Sequence, residues 1–130
     1  MKPKVKQAIE ISQMTADNIP LSGKRRRLAA ICLDKRGDIV SIGVNNYDKS
    51  HPTQYHFANK CNMPDRIYLH AEVCAIIKAK TKDIHTIIVS HVNIAGKLLN
   101  AKPCVICRMA IAQAGIKNVY YSTESGYEEL

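Results

Sequence analysis

Two stretches of sequence decide the fold of this chain, His70-Ala71-Glu72 and Pro103-Cys104-Val105-Ile106-Cys107. Cys104 and Cys107 are three residues apart, so on a helix their sulfur atoms share one face. His70 and Glu72 are two residues apart, which inside a helix would turn them away from each other. Their side chains converge only where a helix begins. The sequence therefore predicts two helices whose first turns meet tip to tip.

The hydrophobic pattern around these stretches predicts alternating helices and strands. The predicted helices cover residues 2–16, 70–80 and 103–114, and the predicted strands cover residues 28–33, 39–44, 86–92 and 116–121. The first two strands flank a glycine-bearing turn and form a hairpin. Because the crossover of a strand-helix-strand unit is right-handed, we expect the last two strands to be parallel neighbours.

Residues 45–69 show no clean hydrophobic period, so we predict a long irregular connection in which binding residues gather. His51, His56 and Cys61 lie close together there and are candidates for a second metal site. Because their spacing matches no zinc template, the alternative is that they are ordinary polar loop residues. The segment His51-Pro52-Thr53-Gln54 is a candidate substrate contact.

The composition fits one domain, residues 1–130, because 130 residues with 46% apolar content are too few for two cores. No run approaches the roughly 18 apolar residues of a membrane helix, and no signal-peptide stretch opens the chain. We therefore expect a cytoplasmic protein with no membrane partner. A net charge of +8 attracts anions, which admits nucleic acid, a free nucleotide phosphate or an acidic surface.

Five cysteines are an odd number, and two of them form Cys-x-x-Cys, which favours metal binding over a disulfide framework. Cys32 and Cys74 fall in apolar runs and are predicted core thiols. A histidine and two cysteines leave the fourth position of a tetrahedral zinc ion open, as in catalytic zinc sites. Glu72, which is not needed as a ligand, is then free to accept and return protons.

At these residues the chain resembles the cytidine and deoxycytidylate deaminase superfamily, which includes tRNA adenosine deaminases and polynucleotide cytosine deaminases. The likeness covers roughly residues 27–121. It implies that His70, Cys104 and Cys107 are ligands of Zn²⁺ and that Glu72 is the catalytic proton shuttle, with the Ala71 amide and the carbonyl before Cys104 near the base.

The resemblance also implies an architecture: a three-layer α/β/α fold with a mixed sheet of four to five strands and both motif helices on one face. Members of this superfamily commonly form homo-oligomers, so we expect one here. Only nine residues follow Tyr121, which leaves little room for the fifth strand and terminal helix of many relatives.

Gly43-Val44-Asn45 looks like the Gly-x-Asn of these families, in which the asparagine binds the sugar and lines the base pocket. Asn45 is the first candidate for this role and Asn46 the second. The alternative is that an Asn-Asn pair leaving a strand only caps a turn.

The stretch 113–121 looks most like deoxycytidylate deaminases, with Tyr120 as a residue against which base or sugar packs. The Ser-Trp-Ser that precedes Pro-Cys in polynucleotide cytosine deaminases is absent, and the chain has no tryptophan. Candidate phosphate contacts are Arg66, Lys60 and the basic run 24–27, although such a run is more often a solvated connection.

The leading hypothesis is zinc-dependent hydrolytic deamination of a cytosine-containing nucleoside or nucleotide, with deoxycytidylate favoured. A second hypothesis is deamination of cytosine or adenine in single-stranded DNA or tRNA, which makes single-stranded nucleic acid a candidate partner. A third, of another class, is a nucleic-acid-binding module with a structural zinc, which would not need Glu72.

Overall fold

The helices and strands of the chain build one sheet with helices on both of its faces. The computed structural model describes residues 2–23 and 25–130. The helices are α1 (Pro3–Asp17), α2 (Pro52–Lys60), α3 (Ala71–Ala79) and α4 (Val105–Gln113). The strands are β1 (Arg27–Leu33), β2 (Ile39–Val44), β3 (Asn46–Ser50), β4 (Tyr68–Leu69), β5 (Thr86–Val92), β6 (Leu98–Leu99), β7 (Asn118–Thr123) and β8 (Gly126–Glu129). Within the described part, no helix is long and apolar enough to cross a bilayer.

The main sheet has the strand order β2-β1-β5-β7-β8, with the short β6 paired to the end of β5. β1 runs antiparallel to both β2 and β5, whereas β5 and β7 are parallel, with Thr86 opposite Asn118. The sheet is therefore mixed. Both the hairpin and the parallel final pair predicted from the sequence are confirmed.

Neighbouring residues of the central strands point to opposite faces of the sheet, as the strand pleat requires. Ile31, Leu33 and Ile88 pack with α1 on one face. Ala30, Cys32 and Ile87 pack with α3 and α4 on the other, and α2 packs against those two helices from outside. The three-layer α/β/α prediction, with both motif helices on one face, is confirmed. Cys32 and Cys74 are both buried, as predicted.

The connection 45–69 is more regular than predicted, since it contains β3, α2 and β4. Pro52 occupies the first turn of α2, where its missing N–H costs nothing. The cap is His51, whose ring nitrogen accepts the N–H of Thr53, rather than one of the usual Ser, Thr, Asp or Asn caps. α2 has nine residues and buries only Gln54, Phe57 and Ala58, which is too little for a visible period.

A fifth strand is present in spite of the short C-terminal segment. β8 pairs with β7 antiparallel, from Thr123 opposite Gly126 to Tyr120 opposite Glu129. Because a tight turn joins the two strands, β8 needs only four residues. The sequence predicts four to five strands with little room for the fifth; β8 is that fifth strand, and the short β6 adds a sixth beside β5.

The basic run before β1 has a structural role at Arg27. Its guanidinium group is 5% exposed and donates hydrogen bonds to the carbonyls of Asp17, Ile19 and Asn93. Arg27 thereby ties the end of α1 to the end of β5 and is not available to a ligand. Arg25 pairs with Asp48, while Lys24 lies outside the described residues.

Gly43 in β2 lets α3 lie directly on the sheet. A β-carbon at this position would stand 2.4 Å from the backbone nitrogen of Ala75 and 2.7 Å from the carbonyl oxygen of Ala71. The hydroxyl of Ser41 donates to the Ala75 carbonyl at 2.7 Å, which holds the helix at this distance. The start of α3 is thus positioned by backbone contact with β2.

Gly43→Ala is expected to lower the free energy of unfolding by about 3 kcal/mol, because the added methyl meets backbone that cannot rotate away. The control is Gly115→Ala: the residue has a φ of +75° with no described atom within 4 Å, so only backbone strain of about 1 kcal/mol is expected. Urea denaturation of both variants measures the difference. Equal stabilities would contradict the close approach.

Candidate metal centre and active-site cleft

His70 and Cys104 occupy equivalent positions, each as the N-cap residue of its helix. Both have extended backbone, with ψ values of 152° and 172°, and each is followed by the first turn of α3 or α4. Cys107 lies in the first turn of α4. The prediction that the two motifs meet tip to tip at helix starts is confirmed. The free N–H groups and positive dipole ends of both helices favour negative charge between them.

The nitrogen and sulfur donors converge on one point. Nδ1 of His70 lies 3.2 Å from Sγ of Cys107 and 3.6 Å from Sγ of Cys104, and all three donor atoms lie within 4.8 Å of one another. Of the residues described, this is the group of three that can hold a metal, and it does not include His51, His56 or Cys61. One imidazole and two thiolates are a donor set that zinc prefers. The residues present therefore fit Zn²⁺.

The two thiols differ in their proton affinity. The pKa of Cys104 is lowered to about 3, chiefly because Cys107 donates a hydrogen bond to its sulfur, with further help from His70. The pKa of Cys107 is raised, because that proton is shared with Cys104 and because the side chain is buried. A thiolate, the form that binds metals, is thus stabilised on Cys104 at neutral pH.

Glu72 is a buried carboxyl beside the donor atoms. It is 4% exposed, and burial raises its pKa above the ordinary value. A carboxyl whose pKa moves toward neutrality can both take up and release a proton during turnover. Glu72 is thus a buried carboxyl of raised pKa next to the metal donors.

His70, Glu72 and Cys104 line a small, open-mouthed cleft of about 90 Å³. The lining residues are Arg26, Leu28, Asn45, Arg66, Tyr68, His70, Ala71, Glu72, Asn100, Ala101, Lys102 and Cys104. The cleft thus joins the donor atoms to the surface.

Of the other residues predicted to bind substrate, Ala71 and Asn45 line this cleft. The Asn45 side chain also extends the β1–β2 pairing, since it accepts the N–H of Leu28 and donates to the carbonyl of Arg26, both at 3.0 Å. One amide hydrogen and one oxygen lone pair remain for a ligand. Asn45 therefore both bonds to the backbone of β1 and lines the cleft.

The structure does not bring Asn46 or Tyr120 to the cleft. Asn46 lies in β3, where its side-chain oxygen accepts the N–H of Asp48 within a local turn. Tyr120 packs with α1 on the opposite face of the sheet, near Ile31 and Leu33. Tyr120 therefore does not line the cleft, contrary to the sequence prediction of a substrate-binding residue, because the sheet separates its ring from the metal donors.

Three cations stand around the cleft: Arg26, Arg66 and Lys102. Among the residues described, none of the three forms an ion pair. Of the earlier candidates for phosphate binding, Arg66 is thus placed at the site, whereas Lys60 lies at the end of α2, outside the lining.

An aromatic column leads from the surface to His70. The Tyr68 ring lies 4.6 Å from the His70 ring on one side and 4.6 Å from the Tyr47 ring on the other, and the Arg25 guanidinium lies over Tyr47 at 5.4 Å. Tyr68 and Tyr47 become neighbours because β3 pairs with β4. The sequence interpretation missed Tyr68. The available signal was its position two residues before His70, which places the two side chains on one face of an extended segment.

A sequence profile described as the cytidine and deoxycytidylate deaminase zinc-binding region matches residues 3–123. No curated protein sequence matches the chain. The profile thus covers nearly all of the chain, including both motifs and every strand except β8.

Solved structures agree with this match. The chain is similar to dCMP deaminase from the cyanophage S-TIM5 in apo form, with 28% identity, a TM-score of 0.57 and coverage of 93% of this chain and 84% of that one. The same phage enzyme in complex with dCMP and dUMP gives 28% identity, a TM-score of 0.54 and coverage of 93% and 82%. Cytidine deaminase from Mycobacterium leprae shares the fold, with 14% identity, a TM-score of 0.57 and coverage of 92% and 87%.

The profile match, the shared fold and the donor cluster agree on one family and one metal. The chain belongs to the cytidine and deoxycytidylate deaminase family, and it is a zinc-dependent hydrolytic deaminase.

Proposed function

We propose that the chain deaminates a cytosine-containing nucleotide, with deoxycytidylate as the favoured substrate and deoxyuridylate and ammonia as products. The observation that carries this proposal is the set of three unpaired cations, described above, around a cleft that reaches Glu72 and the metal donors. Support also comes from the 28% identity to a phage enzyme whose structure contains dCMP and dUMP.

His70, Cys104 and Cys107 are the proposed ligands of Zn²⁺, and bound zinc supplies the Lewis acid that activates a water molecule for attack. Glu72 is the proposed catalytic residue. Its carboxylate accepts a proton of the attacking water and delivers it to the ring nitrogen N3 of cytosine as oxygen bonds to C4. The carboxylate then takes the proton of the hydroxyl added at C4 and passes it to the amine, so that the C4–N bond breaks, ammonia leaves and the C4 carbonyl of uracil forms. Burial suits Glu72 to this task, because it brings the pKa of the carboxyl closer to neutrality.

The base and sugar are held by groups that line the cleft. The Ala71 N–H belongs to the first turn of α3, where it has no partner within the helix and is available to an oxygen of the base. The remaining hydrogen and lone pair of the Asn45 amide suit a sugar hydroxyl. Asn46, the second candidate, takes no part in this proposal because its oxygen is used in its own turn.

The phosphate distinguishes a nucleotide from a nucleoside. Arg66 and Arg26 each present a planar group that forms paired, charge-assisted hydrogen bonds with phosphate oxygens, and Lys102 adds a point charge. A free nucleoside gains nothing from these cations, so the cleft favours the phosphorylated substrate.

Deamination within single-stranded DNA or tRNA remains the alternative, because the same cations and the net charge of +8 would also attract a polynucleotide. Binding of single strands relies on aromatic faces that are free to stack with bases. Tyr68, the aromatic residue of the cleft, has one face against Tyr47 and the other against His70. This arrangement favours the mononucleotide. A binding module with a structural zinc would have no use for a carboxyl buried beside the donors.

Two proposals concern the protein as a whole. We propose that it is cytoplasmic, as expected from the sequence, and that it forms a homo-oligomer, as the resemblance implies. Tyr55 of α2 and Val105 of α4 expose 51% and 41% of their surface. This leaves apolar area for a second copy on the face of the sheet that carries α3 and α4.

Glu72→Gln is expected to keep bound zinc and to lower turnover of dCMP by about 10²–10⁴-fold, because the amide cannot carry the proton. Ammonia release and zinc content per chain are the measurements. Glu10→Gln, the same change on the exposed side of α1, is the control and should behave as the parent. A Glu72→Gln protein with parental turnover would contradict the assigned role.

Arg66→Ala is expected to lower kcat/KM for dCMP by about 10–100-fold, the loss of a charge-assisted hydrogen bond, and to leave deoxycytidine unaffected. Arg36→Ala is the control, since Arg36 lies in the β1–β2 turn outside the cleft. Steady-state kinetics with both substrates test this. Equal losses of kcat/KM for nucleotide and nucleoside would show that Arg66 does not bind the phosphate.

Affinity for a single-stranded oligonucleotide, measured between 50 and 200 mM salt, separates the mononucleotide proposal from its alternative. We expect binding no tighter than the roughly 10⁻⁴–10⁻⁶ M of non-specific contacts, together with deamination of free dCMP. Tight, steeply salt-dependent binding with deamination only within the oligonucleotide would support the polynucleotide substrate instead.

A further inference from the structure

Gln54 is a polar side chain with no solvent exposure, in the first turn of α2. A glutamine at this position of a helix often turns back to cap its own N-terminus. Here His51 accepts the N–H of Thr53, and the Gln54 side chain instead points inward. A fully buried glutamine is uncommon, and its amide requires hydrogen-bond partners.

Both partners of the Gln54 amide belong to the segment that leads into the metal centre. Its oxygen accepts the backbone N–H of His70 at 3.2 Å, and its nitrogen donates to the backbone carbonyl of Arg66 at 3.4 Å. One partner is a donor and the other an acceptor, so a single orientation of the amide satisfies both. Gln54 therefore fixes both ends of residues 66–70.

The second ring nitrogen of His70 has no described protein group to hold it. The ring of a metal-binding histidine usually donates its second N–H to a carboxylate, a carbonyl or water, which fixes its orientation. Nε2 of His70 is buried and, among the described residues, has no hydrogen-bond partner. The ring is instead packed against Tyr68, which lies in the segment that Gln54 holds. The direction of Nδ1 consequently depends on where that segment sits.

We propose that Gln54 is the positioning residue of the metal centre: through the His70 N–H it holds the backbone of this ligand, in place of a hydrogen bond to the ring. This proposal rests on the zinc ligands of the proposed function but not on its choice of substrate. Zinc affinity is measured without substrate, so a failure to deaminate dCMP would leave it standing.

The test compares Gln54→Met with Gln54→Glu. Methionine keeps the length and approximate volume of the side chain and removes both hydrogen bonds. We expect the zinc dissociation constant, measured by competition with a chelating dye, to rise by about 10–100-fold, as for other residues that orient metal ligands. Glutamate retains an oxygen acceptor for the His70 N–H in either protonation state, so its zinc affinity should stay near that of the parent.

The visible absorption of the Co²⁺-loaded proteins gives a second readout, because it responds to the arrangement of the ligands rather than to stability. It should change for Gln54→Met and not for Gln54→Glu. Gln113→Met, the same change on an exposed residue of α4, controls for the substitution itself and should match the parent. If Gln54→Met does not fold, Gln54→Asn replaces it, since its shorter amide cannot reach both partners.

Parental zinc affinity and Co²⁺ spectrum in the folded Met or Asn variant would overturn the proposal. So would equal losses in the Met and Glu variants, since these would show that the volume or polarity of the site matters and the acceptor does not.

Discussion

The N-terminal ends of α3 and α4 meet at one point, and the rest of the site depends on that meeting. Two positive helix ends repel each other unless negative groups stand between them. The Cys104 thiolate supplies such a group because hydrogen bonds lower its pKa, whereas burial raises the pKa of the neighbouring Glu72 carboxyl. The electrostatic environment that binds a metal is therefore created by backbone geometry before any ion arrives.

Each helix reaches this point for a different reason. α3 lies on β2 because Gly43 has no side chain to separate them and Ser41 bonds to the Ala75 carbonyl. α4 arrives as the crossover between the parallel strands β5 and β7, a connection whose handedness is fixed by the twist of the sheet. The sheet thus sets the relative position of His70 and Cys104, which makes a rigid base for the chemistry.

The segment between β2 and α3 surrounds the metal donors. It brings Tyr68 against the His70 ring, Arg66 to the cleft and Gln54 beneath both. The metal donors stand at the starts of the motif helices, whereas Arg66 and Tyr68 of the cleft come from this segment. This division explains why the four motif residues identify the reaction class but leave the substrate to the surrounding loops.

The sequence predicts the place of the metal donors well because the spacing of His70 and Glu72 requires a helix start. A His-x-Glu triplet converges only at a helix start, and both helix starts are found where expected. The face of the sheet on which Tyr120 lies could not be predicted, because β7 is covered on both sides and its sequence shows no alternation of polar and apolar residues. The sequence did not predict α2 because a histidine caps this helix and only three of its residues are buried. Gln54 lies in a stretch predicted to contact substrate, but its hydrogen bond to a backbone N–H sixteen residues away could not be predicted from local sequence.

X-ray absorption spectroscopy at the zinc edge tests the central claim most directly, because it reports the atoms around the metal in the protein as it stands. Three protein ligands at two helix starts predict two sulfur atoms at about 2.3 Å and two nitrogen or oxygen atoms at about 2.0–2.1 Å, one of the latter from solvent. A shell of three or four sulfur atoms, or one with no sulfur, would contradict the account.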